Sequence, residues 1–352
     1  MTLPAAKATA STSSRSRLQA ALSPILAVTA ALVVGAFLML LAGASPVAAY
    51  SALFRQALTT YFGFADTLTK MTPLLLASLG VLVALRAGQF NLGAEGQIYM
   101  GGLGSLLFGQ AFSGLPMVIH LPLALLGGFI FGAAWGAIAG YLKVARGLNE
   151  VLTTLLLNYV AQSFISYLVN GPLKAANAPS PFSELVAKSA YLPTILAKTQ
   201  AHAGIFLGLA LALSLTVAFA ITAWGYRVDA VGQNPVAASY AGIAVNRTIV
   251  SVMALSGGLA GLAGSSEVLG LKRRLFEDFS PGYGFDALAI ALLSRGNPAV
   301  VILTSFFFGI LRSGANVMQR SASVPVSIIY AIQGLTVLFV AISLAIESRH
   351  QT

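Results

Sequence analysis

Glu95, Glu267 and Asp286 stand in stretches that are otherwise almost wholly apolar. A carboxylate in such a setting is costly against lipid, so it is kept where it caps a helix, meets a solute or carries a coupled ion. The segment RAGQFNLGAEGQIYMGG, 86–102, surrounds Glu95 with Asn91, Gln97 and the glycines Gly88, Gly93 and Gly96. Two readings of this group stand side by side. Asn91 caps a following helix, with Glu95 in its first turn where the helix dipole favours a negative charge, or the same polar groups touch a passing solute. Thr154 and Asn158 are four apart in NEVLTTLLLNY and share one helical face. They line a pore for a hydrogen-bonding solute or join neighbouring helices. A second interruption, SPGYGFDALAIALLSRGNPAV at 280–300, brings Tyr283 and Asp286. Its apolar part, 285–293, is too short for a bilayer of about 30 Å and reads as a half-helix.

Much chemistry is excluded. HExxH, G-x-S-x-G and the phosphate-binding G-x-x-x-x-G-K-[ST] are all absent, so the expectation is a non-catalytic chain without a cofactor of its own. If such a chain moves solute uphill with ATP, the nucleotide binds another subunit. There is no cysteine, and His120, His202 and His350 are scattered, which leaves no sequence pattern for a metal site. The net charge of +10 is carried by loops between apolar blocks, not by one soluble face, so nucleic acid is excluded as a partner.

The elements that must position these groups follow from composition. Of 352 residues, 57% are hydrophobic and 9% charged, and the mean hydropathy is +0.84. Soluble domains carry about 25% charged residues, so this exterior faces lipid. The apolar blocks are continuous, which excludes a β-barrel. The expected fold is an all-α polytopic membrane protein of about ten transmembrane helices: 25–45, 73–86, 95–112, 118–142, 151–170, 203–224, 248–270, 284–294, 299–314 and 325–346. Residues 1–23 read as a cytoplasmic tail, 24–347 as one transmembrane domain and 348–352 as a second cytoplasmic tail. The alternative of a cleaved signal peptide is disfavoured by the length of the first apolar stretch. An even span count puts both termini on one side, and the basic links 143–147 and 226–229 make that side cytoplasmic. The run Lys272-Arg273-Arg274 then falls outside, against that rule. The outer loop 171–202 is either a docking surface or a plain linker. The two glycine-interrupted segments occupy matching places if the spans form two five-helix repeats, a pattern that points to a transport pathway. In 118–142, Gly128, Gly132, Gly136 and Gly140 recur every fourth residue and form a smooth ridge for close helix packing.

One short punctuated stretch lies outside the spans. Asn234 suits an N-cap, Pro235 the first helical position and Gly242 the stop, so 235–241 forms about two turns. Ala237, Ala238 and Ala241 make it slim enough for a partner's groove. The string GQNPVAASYAGIAV, together with FNLGAEGQ, LNEVLTTLLLNY and SPGYGFDALAIALL, resembles the permeases of ATP-binding-cassette (ABC) importers for ribose, branched-chain amino acids and nucleosides, above all the nucleoside branch. These motifs run from about 86 to 315. The resemblance implies a transmembrane core of two permease subunits, often two related but different chains. It implies an ATPase subunit that holds ATP and Mg, an extracytoplasmic substrate-binding lipoprotein and a place in the bacterial inner membrane. It assigns ATPase coupling to Asn234, Pro235, Ala237, Ala238, Tyr240, Gly242 and Ile243, within the cytoplasmic loop 226–247. Asn91, Glu95, Gln97, Thr154, Asn158, Tyr283 and Asp286 become candidates for the substrate pathway. One departure is Val236, where the signature usually has Glu; that carboxylate contact is absent. The rival expectation is a self-contained carrier driven by an ion gradient, with Glu95, Glu267 and Asp286 as coupling groups.

Overall fold

The computed structural model describes residues 14–176, 179–322 and 324–349. The expected tails at 1–23 and 348–352 lie partly outside these, at 1–13 and 350–352. Thirteen α-helices are found among the described residues: α1 Ser14–Leu41, α2 Pro46–Thr59, α3 Tyr61–Arg86, α4 Ala94–Ala111, α5 Met117–Arg146, α6 Glu150–Asn170, α7 Gly204–Ile221, α8 Ala223–Gln233, α9 Pro235–Tyr240, α10 Val245–Ser265, α11 Tyr283–Leu293, α12 Pro298–Ala322 and α13 Val326–Arg349. A π-helical stretch, Ser266–Lys272, extends α10. Among the described residues, six helices are long and apolar enough to cross a membrane: α3, α5, α6, α7, α10 with its π extension, and α12. Leu26–Leu41, Tyr283–Leu293 and Ser327–Val340 are apolar but shorter. The architecture is thus all-helical and multi-pass.

The sequence reading misplaced two elements. It left 46–72 unassigned, yet α2 and the first turns of α3 fill that stretch. Asp66 and Lys70 had broken the apolar run, but both sit on a helix packed among others. The span expected at 203–224 divides at Thr222, whose side chain accepts from the Gly225 N–H and starts α8. The loop expected at 226–247 is therefore mostly helical.

The core is built around α10. Gly128, Gly132, Gly136 and Gly140 of α5 face Ser265, Gly261, Gly257 and Met253 of α10 in reverse order, so the two helices run antiparallel. At Gly132 and Gly136 a Cβ would overlap a carbonyl oxygen of the facing helix. The ridge read from the sequence is this seam. Helix α3 packs antiparallel to α12, with Ser313 Oγ donating to the Gly63 carbonyl.

The loop 171–202 is a folded cap. Ser183 N–H donates to the Leu275 carbonyl at 2.8 Å and Val186 N–H to that of Arg273 at 2.9 Å. Arg273 lies over the Tyr191 ring, Arg274 over Phe182 and Lys272 over Phe276. The basic run that strained the orientation rule is thus held by aromatic faces of this cap and its own loop. Tyr61 Oη donates to Ala197 O, and His120 Nδ1 meets Ser189 Oγ at 2.6 Å. Those contacts place the first turns of α3 and α5 on the cap side.

Candidate functional site

On the face opposite the cap stands α9. Asn234 leaves the helical region, with φ −156° and ψ 100°, and its Oδ1 accepts from Val236 N–H and Ala237 N–H, both at 3.0 Å. Pro235 takes the first position, where a missing N–H costs nothing. The C-terminal end closes at Gly242, φ +80°, with Ile243 N–H donating to Ala238 O at 3.0 Å. A helix of six residues is marginal alone. It is held by Ala238, buried against Val231 and Ile249 with Ile243 alongside. Tyr240 is 91% exposed and Val236 64% exposed, so the outer face is apolar and bare. The seven coupling candidates thus lie in one capped unit, which presents Tyr240 and the adjoining Val236 outward.

A salt bridge ties this unit to the spans. Arg86, the last residue of α3, grips Asp229 of α8 through both nitrogens of one guanidinium edge. It also donates to Gly296 O at 3.2 Å and lies 4.0 Å from the Phe219 ring centroid. Four elements therefore meet at one side chain: α3, α7, α8 and the turn between α11 and α12. A cavity of about 670 Å³ opens beside them.

The two interrupted segments meet in the interior. Glu95, in the first turn of α4, accepts from Gly282 N–H at 3.2 Å and Gly284 N–H at 2.6 Å. It is 1% exposed. Its carboxylate caps α11, the helix of the other segment, where orphan N–H groups and the dipole favour an anion. A Cβ on Gly284 would overlap the Glu95 backbone, so only glycine lets the two helix starts come together. The sequence had placed Glu95 at the start of its own helix. That is correct, but the N–H groups it satisfies belong to a helix nearly two hundred residues away, which no local pattern encodes.

Asn91 does not cap α4; Gly93 occupies that position without a side-chain bond. Asn91 instead donates to Gln97 Oε1 at 2.9 Å and Ser256 Oγ at 2.8 Å, and accepts from Gly93 N–H. Asn158 closes the same linker, accepting from Gly96 N–H and donating to Leu92 O, both at 2.8 Å. Thr154 Oγ1 accepts from Leu92 N–H at 3.2 Å. The structure therefore brings Asn91, Glu95, Gln97, Thr154 and Asn158 together in one buried polar junction. Each makes hydrogen bonds to neighbouring elements. Tyr283 and Asp286 lie at the start of α11, where Asp286 accepts from Arg312 Nε at 2.6 Å and the guanidinium lies 4.8 Å from the Tyr283 ring centroid. Arg86, Asp229, Arg312, Lys70 and Ser256 were missed. Arg312 and Lys70 carried a usable signal, since a cation inside an apolar helix is costly without a task.

Residues 63–341 match the family model of the branched-chain amino acid transport system permease component. The chain belongs to this permease family. The permease is 36% identical to the glucose ABC transporter permease protein TsgB13 of Haloferax volcanii, over 91% of this chain and 87% of that protein. It is 35% identical to the guanosine ABC transporter permease protein NupP of Bacillus subtilis, over 94% and 96%. Against the nucleoside ABC transporter permease protein NupB of Lactococcus lactis it is 29% identical, over 93% and 92%. The motif resemblance and these relatives agree: this is an ABC transporter permease of the membrane, with nucleoside and sugar permeases among its relatives.

Proposed function

We propose that this permease is the transmembrane subunit of an ATP-driven importer for nucleosides or a related neutral polar solute. A separate ATPase subunit binds ATP and Mg and takes α9 into a groove. A second permease subunit, a related but different chain, completes the core, and an extracytoplasmic lipoprotein delivers solute. The chain lies in the bacterial inner membrane in about ten passes, with α9 and both termini cytoplasmic and the cap outside. The observation that carries this reading is α9 itself: a helix capped at both ends, anchored by Ala238, with bare Val236 and Tyr240 facing outward. An isolated apolar helix face of this kind needs a partner. Closure of the ATPase moves α9, and the Arg86–Asp229 pair carries that movement to α3 and the α11–α12 turn.

The ion-driven alternative gains no support from the site. Glu95 is engaged as a helix cap and Asp286 as the partner of Arg312. The test of the proposal is removal of residues 234–242 followed by an ATPase assay of the assembled complex. Loss of solute-stimulated hydrolysis is expected, and full stimulation would refute the coupling role.

A further inference from the structure

Helices α3, α11, α12 and α13 enclose a cavity of about 140 Å³ lined by Lys70, Tyr283, Arg312, Ala315, Ile329 and Tyr330. Several polar atoms around it lack partners among the described residues. Lys70 makes no hydrogen bond or ion pair there. Arg312 spends Nε on Asp286 and Nη2 on Pro281 O. Gln333 is 3% exposed with neither amide atom hydrogen-bonded. It lies three and four residues after Tyr330 and Ile329, hence on the same face of α13. Glu267 Oε1 is likewise buried without a partner. Glu267 is within electrostatic reach of Lys70 and Arg312 and lies beside Tyr283 on the π-helical stretch, a geometry common at functional sites. Leaving such a group buried and unpaired costs its full desolvation. Unpaired groups occur elsewhere in the interior too, at Ser78, Gln89 and Ser305, but Gln333 and Glu267 stand next to residues that line an open cavity.

We infer that this cavity is a solute site within the permease: it takes one neutral ring that carries hydroxyl or amide edges. The inference rests on the importer reading above and assigns that reading a binding place. Size sets the first limit, since a cavity of about 150 Å³ accommodates one six-membered ring. Charge sets the second, since the cations Lys70 and Arg312 face the carboxyl groups of Asp286 and Glu267. Tyr283 and Tyr330 offer ring faces for stacking. Gln333 offers a donor and an acceptor side by side, which suits the edge of a nucleobase or a diol. A nucleobase and a pyranose share this chemistry.

The chain has no cysteine of its own, so Ala315→Cys supplies a single reporter thiol. The full-length variant, in membrane vesicles holding the complete transporter, is labelled with a small methanethiosulfonate reagent without ATP. Millimolar uridine, whose base is a single six-membered ring, or glucose is added in separate arms. One of them should slow labelling by about tenfold, the scale of a few hydrogen bonds. Protection by uridine assigns a pyrimidine nucleobase and protection by glucose a pyranose. A labelling rate that neither solute changes overturns the site and leaves a water-filled void. In parallel, Gln333→Leu should raise the KM for uptake of the protecting solute about tenfold at unchanged kcat. An unchanged KM also overturns the site. The importer reading fails by a different sign: Ala315→Cys vesicles that show solute protection while neither they nor wild-type vesicles show ATP-dependent uptake.

Discussion

At the scale of the residue, Glu95 shows how little the type of a side chain says about whose backbone it serves. It holds the α11 start through two N–H groups. Glu95→Gln keeps one good acceptor, so it should assemble and impair transport; Glu95→Leu leaves both N–H groups unpaired and should cost about 2–3 kcal/mol. Thermal unfolding in nanodiscs, run beside uptake, separates the two. If Gln transports as wild type does, the carboxylate has no part in the transport cycle. His202 in the cap gives a pH prediction. It is 1% exposed, its Nδ1 accepts from Gly204 N–H, and burial pushes its pKa down from 6.5 to about 4. The unfolded chain takes up the proton near 6.5 and the folded chain only near 4. Stability is thus complete above about 6.5 and falls as pH drops toward 4, by at most about 3 kcal/mol. Melting temperature against pH should lose this slope in His202→Gln. A slope that persists unchanged would assign the acid sensitivity elsewhere.

At the scale of the element, the α5–α10 seam and the α3–α8 clasp carry the load. The glycine ridge was legible because a period of four on a helix is a local fact. Its partner carries Gly257 and Gly261 at the same spacing of four, because both faces must be smooth for backbones to meet. Gly136→Leu forces the helices apart and should destabilise by about 1–3 kcal/mol, read as a lower melting temperature and a loss of assembled protein. The clasp was not legible: Arg86 and Asp229 are far apart in sequence, and each alone reads as a loop charge. Arg86→Gln should leave basal ATP hydrolysis near wild type and reduce uptake at least about tenfold, since the pair joins α8 to α3 without touching the groove-facing side of α9. Reversing both charges, Arg86→Asp with Asp229→Arg, should restore part of the uptake. No recovery in the double variant would remove the ion pair from the coupling path. The interrupted helices were legible from glycine and polar clusters in apolar sequence, whereas α2 was missed because Arg55, Gln56, Asp66 and Lys70 dilute the hydropathy of 46–72.

At the scale of the whole molecule, the proposed orientation is open to a direct check. Arg274→Cys in the cap should react with a membrane-impermeant maleimide in intact cells, and Tyr240→Cys should react only after permeabilisation. The opposite pattern would invert the assignment of sides. The broad outward faces of α6 and α7, with Leu152, Leu156, Tyr159 and Phe206 exposed, form an apolar surface suited to lipid. The sequence by itself determined the membrane class, the helical fold, the glycine seam and the punctuation of α9. Each depends on composition or on residues within a few turns, where hydropathy and helical period act directly. Only the tertiary structure decided which helix Glu95 caps, which elements Arg86 joins, and which unpaired groups gather around the cavity beside Tyr283. Those pairings are long-range, and they are fixed when buried polar groups, denied water, must find partners wherever packing has brought them.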